Sequence, residues 1–226
     1  MSLLEIIDLE KTFYTPDNKV SAHIEIPKLN LEQGEAMVLE GPSGSGKTTV
    51  LHMISGLLKP DKGRIVFAGT DVAEMSAEER DRWRGSNIGY VFQKLNLLSA
   101  LTVEENILLA GKWNTKTADA ELIKKRIHAL LDYVGLASKA KLFPDKLSIG
   151  EQQRVAVVRA LLYKPKMILA DEPTASLDKV NSEKVLQLLL GLCKENNVAL
   201  MLCTHDEAVK NKFAKRYNVR KESYNE

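Results

Sequence analysis

A short apolar strand, Ala36–Glu40, runs directly into Gly41-Pro42-Ser43-Gly44-Ser45-Gly46-Lys47-Thr48. Residues from Lys47 to Leu57 then place Val50, Leu51 and Ile54 on one helical face. Strand, glycine-rich turn and helix, in that order, constrain the fold more than any other part of the chain. The turn matches G-x-x-x-x-G-K-[ST], in which backbone N–H groups curl around phosphate oxygens and the next helix aims its positive end at the same anion. Lys47 brings a mobile charge to the β- and γ-phosphates, Thr48 offers a hydroxyl to Mg²⁺, and Thr49 extends the nucleotide-binding stretch. A glycine- and serine-rich surface turn would need neither the strand before it nor the helix after it.

The rest of the chain repeats the alternation. Residues from Leu3 to Leu31 carry short β-type runs around a Thr15-Pro16-Asp17-Asn18 turn and predict antiparallel strands. Ile88–Phe92, Met167–Ala170 and Val198–Cys203 are further apolar strands. Val185, Leu188, Leu189 and Leu192 define an amphipathic helix. Between about Lys94 and Tyr163 the pattern turns helical. Ile123, Ile127, Leu130, Leu131 and Val134 recur at helical spacing with Gly135 as the stop, and Val155, Val158 and Leu162 mark a second helix ended by Pro165. Apolar strands alternating with helices predict an α/β fold around a parallel sheet covered on both faces.

Composition narrows the class of partner. The 226 residues suffice for one domain with a sizeable core, and 44% apolar with 27% charged residues is an ordinary globular balance. A net charge of +2 argues against broad electrostatic capture of nucleic acid or anionic lipid, although Lys210 to Lys221 forms a local basic stretch. Cys193 and Cys203 are expected to be buried, reduced thiols. The start of the chain does not read as a signal peptide, and its apolar runs fall well short of the roughly 20 residues that cross a bilayer. A cytoplasmic protein, with any membrane role supplied by a partner chain, is the expectation. No Cys/His spacing suggests zinc, and His23, His52 and His128 read as packing or surface residues.

Met167-Ile168-Leu169-Ala170-Asp171-Glu172 is an apolar strand ending in two carboxylates. Asp171 at the strand end can hold Mg²⁺, and Glu172 stands where a general base would meet water and the γ-phosphate. Leu147-Ser148-Ile149-Gly150-Glu151-Gln152-Gln153-Arg154 precedes this pair, and Cys203-Thr204-His205-Asp206 follows the next strand. In this order the motifs resemble the ATP-binding-cassette (ABC) ATPases over essentially the whole chain. The resemblance implies a P-loop NTPase core with an N-terminal antiparallel β subdomain and a helical subdomain inserted at about 94–163, all within a single domain spanning 1–226.

It also assigns residues. Phe13, with Tyr14 as second candidate, matches the aromatic that stacks on adenine. Gln93 matches the glutamine that contacts Mg²⁺ or water and couples to a membrane partner. Ser148, Gly150 and Glu151 match the signature that reaches a second subunit's nucleotide, and Asp178 matches the loop lying across that dimer. His205 matches the switch histidine on the γ-phosphate. Lys47, Gln93, Glu172 and His205 form the implied catalytic set, and Thr48, Gln93 and Asp171 the implied metal set. ATP and Mg²⁺ are the implied cofactors, and the implied assembly is an ATP-dependent homodimer on the cytoplasmic face of an integral membrane permease, with no nucleic-acid partner. The runs Ser76–Phe92 and Leu97–Asn106 resemble ATPases of the lipoprotein-releasing and macrolide-exporting type.

Two positions depart from the family's Leu-Ser-Gly-Gly-Gln. Ile149 stands for the first glycine, so the turn must keep this residue out of the left-handed region. Glu151 stands for the glutamine and carries negative charge toward a phosphate, although it suits the first turn of a helix. The stretch from Asn218 to Glu226 lacks the glycine of the family's usual terminal hairpin. Two other ATPase readings share most motifs. One is a subunit whose membrane partner signals or activates an enzyme instead of moving cargo; the other is a soluble cassette acting on DNA or ribosomes, which a single cassette without sustained heptads disfavours. A small-molecule kinase would leave the signature and His205 without a role.

Overall fold

Thirteen residues of strand β1 (Ser2–Tyr14) lie antiparallel to β2 (Val20–Glu32), joined through the predicted turn, where Asn18 N–H donates to Thr15 O (2.9 Å). The computed structural model describes residues 2–111 and 120–222. The part of the predicted helical insertion at 112–119, and the chain end at 223–226, lie outside them. After β2 come β3 (Ala36–Glu40), α1 (Lys47–Ile54), β4 (Lys62–Phe67), β5 (Thr70–Asp71), α2 (Ala77–Asn87) and β6 (Ile88–Val91). The helical stretch holds α3 (Val103–Leu108), α4 (Ala120–Tyr133) and α5 (Ile149–Leu161). The chain then runs through β7 (Met167–Asp171), α6 (Lys179–Glu195), β8 (Ala199–Cys203), α7 (Glu207–Lys210), β9 (Lys215–Asn218) and β10 (Lys221–Glu222).

Two sheets result. One is antiparallel, ordered β10-β2-β1-β4-β5; the other is parallel throughout, ordered β6-β7-β8-β3-β9. The inner strands β7, β8 and β3 are apolar up to their carboxyl ends because both faces are covered, whereas the edge strand β9 is polar. Side chains alternate between the faces with the period of two that a strand imposes. Met37, Leu39, Met167, Leu169 and Met201 pack with α1 and the antiparallel sheet, whereas Val38, Ile168, Ala170, Leu200 and Leu202 pack with α5 and α6.

A third core lies away from both sheets, built by Val103, Ile107, Ile127, Leu131 and Leu136 with Val155, Val158 and Leu162. Helix α5 therefore has two apolar faces. Val157 and Leu161 meet the parallel sheet, and Val155, Val158 and Leu162 meet the helical core. One rigid element thus ties the helical stretch to the sheet.

Several elements differ from the sequence expectation. Helix α1 stops at Ile54 and not Leu57, because Leu57 and Leu58 both donate back to His52 O and turn the chain. Helix α2 carries too few apolar residues to show a periodic face, and its signal is local: Ser76 and Glu79 form a reciprocal capping box. Beyond His205 the chain still adds β9 beside β3 and β10 beside β2, without a glycine. Gly135 ends α4 as expected, with Leu136 N–H donating to Leu131 O (2.7 Å).

Candidate functional site

The carboxyl ends of β3, β6, β7 and β8 open on one cleft of about 360 Å³, lined by Ser43, Gly44, Gly46, Lys47, Thr48, Thr49, Gln93, Asp171, Glu172 and His205. Ligands of open α/β sheets bind in such a crevice, outside the strand ends. Gly46 caps α1 with φ 95°, and a Cβ there would run into Ile24 of β2. The glycine thus supplies a backbone conformation and a close approach together. The first turn of α1 holds no acidic residue, so its positive end is left for an anion. Lys47 is buried and its ammonium folds back onto the loop, donating to Gly41 O (2.9 Å) and Pro42 O (3.0 Å). The Ser45 hydroxyl is buried with no partner beside Gly41 and is not among the residues that line the cleft.

Opposite the loop, Thr48 Oγ1 donates to Asp171 Oδ1 (3.1 Å) across two elements far apart in sequence. Burial raises the pKa of the Asp171 carboxyl above its ordinary value; Thr48 pulls it back, and the neighbouring Glu172 charge adds to the rise. A divalent cation would offset that penalty. Thr48 hydroxyl, Asp171 carboxylate and Gln93 amide make a hard-oxygen donor set, which suits Mg²⁺. Among the described residues no group of three or more His, Cys, Asp or Glu could hold a metal by itself. Substrate phosphates and water complete the coordination in Mg²⁺ sites of this kind.

Glu172 sits at φ 46°, a left-handed conformation that costs a non-glycine residue about 1–3 kcal/mol. Its N–H donates to Cys203 O (3.0 Å), pinning the turn to the end of β8. The turn carries its carboxylate to His205, with Oε1 2.9 Å from Nδ1, while His205 itself is 68% exposed. Both cysteines are buried free thiols. Burial pushes Cys193 up to about 12 and Cys203 well above the ordinary thiol range, so neither is a thiolate nucleophile.

The remaining candidates stand elsewhere. Phe13 is half-buried against the antiparallel sheet's core and Tyr14 is exposed at the end of β1; neither lines the cleft. Ser148, Gly150, Glu151 and Asp178 also lie outside it. Ser148 caps α5 in a reciprocal box: Glu151 N–H donates to Ser148 Oγ (3.3 Å), and Ser148 N–H donates to Glu151 Oε2 (3.0 Å). Ile149 begins α5 without a positive φ, as its side chain demands, and stays half-exposed. Asp178 caps α6 and is exposed. Backbone and side-chain donation from Asn181 holds its carboxyl below the usual range.

Three structural residues escaped the sequence reading. Buried Asn106 on α3 binds Leu98 through both backbone groups and also donates to Leu101 O and Thr102 O, at 2.7–3.0 Å. Arg159 on α5 donates to Leu95 O (2.7 Å) and Asn96 O (2.8 Å), so the loop beginning at Gln93 is held there by Arg159 and further on by Asn106. Asn181 joins Asp178 to α5, since it is the nearest side chain to the position a Cβ on Gly150 would occupy. A capping pattern around Asp178 could have suggested Asn181. The partners of Arg159 and Asn106 are backbone groups, which leave no trace in side-chain identity. Behind the same loop, a groove of about 720 Å³ runs between α2 and α5, lined by Tyr90, Phe92 and Tyr163 among others.

The ABC transporter family model matches residues 24–175. The lipoprotein-releasing system ATP-binding protein LolD 1 of Rhodopirellula baltica is 36% identical, over 96% of this chain and 93% of its own. The macrolide export ATP-binding/permease protein MacB of Syntrophobacter fumaroxidans is also 36% identical, over 92% of this chain but 29% of its own length. The dimeric post-hydrolysis structure of the ATP-binding cassette MJ0796, bound to ADP and Pi, superposes with a TM-score of 0.83 at 32% identity, covering 99% of each chain.

Proposed function

Because this chain belongs to the ABC transporter family, as an ATP-binding and ATP-hydrolysing subunit, we propose that two copies close head to tail on two MgATP and drive a separate integral membrane permease of the lipoprotein-release or export type. The observation that carries this reading is a separation. Lys47, Thr48, Gln93, Asp171, Glu172 and His205 converge on one cleft, whereas Ser148 and Asp178 are exposed outside it and Gly150 is buried beside Asn181. A second subunit's nucleotide gives the second set a role.

In this reading Gly41 to Thr49 cradle the phosphates and Lys47 exchanges its loop carbonyls for phosphate oxygens. Thr48, Asp171 and Gln93 would hold Mg²⁺, which neutralises charge on the β- and γ-oxygens when bound. Phe13 or Tyr14 would stack on adenine at the open side, beyond the residues lining the cleft. Glu172 is the general base. Its Oε1 is taken by His205, so Oε2 accepts the water proton as the water oxygen bonds to the γ-phosphorus and the bond to the ADP oxygen breaks. A carboxylate can only accept, so His205 Nδ1 carries the proton of their contact. The other ring nitrogen donates to the γ-phosphate only when the imidazole is protonated, coupling His205 to the charge that develops there.

The single domain spans 1–226, with about 94–163 as an inserted helical subdomain, and the protein sits on the cytoplasmic face through its permease. Phe92 lines the groove behind α2 and Gln93 lines the cleft, so one strand end touches both a permease segment in that groove and the nucleotide. The relative MacB, an ATP-binding/permease protein by name, supports such a partner. Co-purification with a membrane permease, together with ATPase activity lost in Glu172→Gln, tests the reading. Turnover without Glu172 or a ribosome- or DNA-bound chain would overturn it.

A further inference from the structure

Glu151 creates a problem that the reading above leaves open. A carboxylate at the start of α5 stands beside the place where a partner's phosphate would approach. At the N-terminus of a helix the unpaired N–H groups attract an anion, and a fixed negative charge there competes for them. The glutamate is nevertheless fully engaged. Oε2 accepts from Ser148 N–H at 3.0 Å. Oε1 accepts from Lys139 Nζ at 2.6 Å, with Arg154 Nη2 at 4.0 Å.

We infer that Lys139 is a positioning residue for the trans half of the ATP site: it neutralises Glu151 and holds it in the capping box, so that α5 presents a net positive end and a free Ser148 hydroxyl proton to the partner's phosphate. The inference rests on the head-to-tail reading of Ser148 and Gly150 given above.

Lys139 is well placed for this. It closes a 3-10 turn, Ala137–Lys139, whose neighbours Leu136 and Ala140 are buried in the helical core, so its backbone is anchored. Its own N–H donates to Leu136 O (2.9 Å). The ion pair thus crosses from the turn after α4 to the first turn of α5. Ser148 uses an acceptor lone pair of its hydroxyl for Glu151 N–H, which leaves the O–H proton to donate outward. Without Lys139 the carboxylate keeps its capping bond but loses its nearest counter-charge. Lys139 does not line the cleft of its own chain, so its effect is confined to the second nucleotide contact.

A double-mutant cycle tests this, because glutamine still completes the capping box without the charge. In the full-length chain, Lys139→Met should raise the KM for MgATP and weaken the ATP-dependent dimer of a Glu172→Gln background by about two- to fivefold, the size of one partly exposed charge pair. ADP binding to the monomer should stay unchanged. Lys139→Arg should restore both values. In a Glu151→Gln background, Lys139→Met should have no further effect. A Lys139→Met loss that persists with Glu151→Gln, or no loss at all while the parent chain hydrolyses ATP and dimerises, would overturn the role of Lys139. A parent chain that neither hydrolyses ATP nor dimerises on it would overturn the head-to-tail reading as well.

Discussion

The cleft at Gly41–Thr48 and the helix start at Ser148–Glu151 are made of similar parts, a helix N-terminus beside a tight turn, yet they stand in opposite conditions. At the cleft, polar groups converge from four strand ends, and Lys47 and Asp171 are buried. At α5 the capping box and the Lys139 ion pair satisfy the polar groups of the helix start, where Ser148 is exposed, while Gln153 Nε2 and Arg154 Nε one turn on are buried without a partner. Polar groups brought together from several strand ends form a site for a ligand the chain binds itself. A helix start that caps itself can rest in water until a partner arrives. The two are linked through α5, which packs on the sheet with one face and on the helical core with the other.

Removing the base separates the regions most sharply. Glu172→Gln should lower ATP turnover by about 10²–10⁴-fold while nucleotide binding persists and dimers accumulate, as read by phosphate release and size-exclusion chromatography. Near-normal hydrolysis would break the assignment of chemistry to the cleft. Leu131→Ala comes next, because Leu131 is fully buried in the helical core that carries α5's outer face. It should cost about 2–5 kcal/mol in denaturant unfolding. Hydrogen exchange should rise first in α4 and α5, with ADP affinity kept. Equal loosening of β3 and α1 would mean that the regions do not differ in local stability.

Lys47→Ala should weaken nucleotide binding by about 10- to 100-fold, the worth of one charge-assisted contact, as measured by calorimetry. Ser148→Ala removes the cap of α5 and should cost about 1 kcal/mol in thermal unfolding, leaving monomer nucleotide binding intact. The smallest effect concerns Asp171 without ligand. Its folded pKa is raised, so the folded state holds that proton more tightly than the unfolded chain does. The stability this contributes is present below the ordinary value of 3.8 and is lost as pH rises through the raised one. Asp171→Asn should therefore raise the melting temperature of the nucleotide-free chain more at pH 7 than at pH 4. The reverse ordering would show that Thr48 and Lys47 outweigh burial.

Much of the fold was legible because its signals are local. Apolar runs marked every strand of the parallel sheet except the polar edge strand β9, the spacing of Ile127 and Leu131 marked α4, and the loop at Gly41–Lys47 announced itself through contiguous residues. Helix α2 was missed because its evenly polar sequence has no periodic face, although the Ser76–Glu79 box was present. The candidate site was legible as a set of motifs, but its division was not. Nothing in the identities of Ser148 and Glu172 says that one lies inside the cleft and the other outside.

The sequence by itself determined the order of elements and the chemistry on offer: a glycine turn with Lys47 and Thr48, carboxylates at Asp171 and Glu172, an imidazole at His205. These follow from backbone conformational limits and side-chain type, which act over a few residues. The tertiary structure decided which of these groups meet. It set the left-handed turn that carries Glu172 to His205, the Thr48–Asp171 contact, the hold of Arg159 on the loop after Gln93, and the neutralisation of Glu151 by Lys139. Apart from the Lys139 pair, each of these depends on strand ends or helices far apart in the chain. Even Lys139 reaches Glu151 only because packing in the helical core sets the turn after α4 against the start of α5.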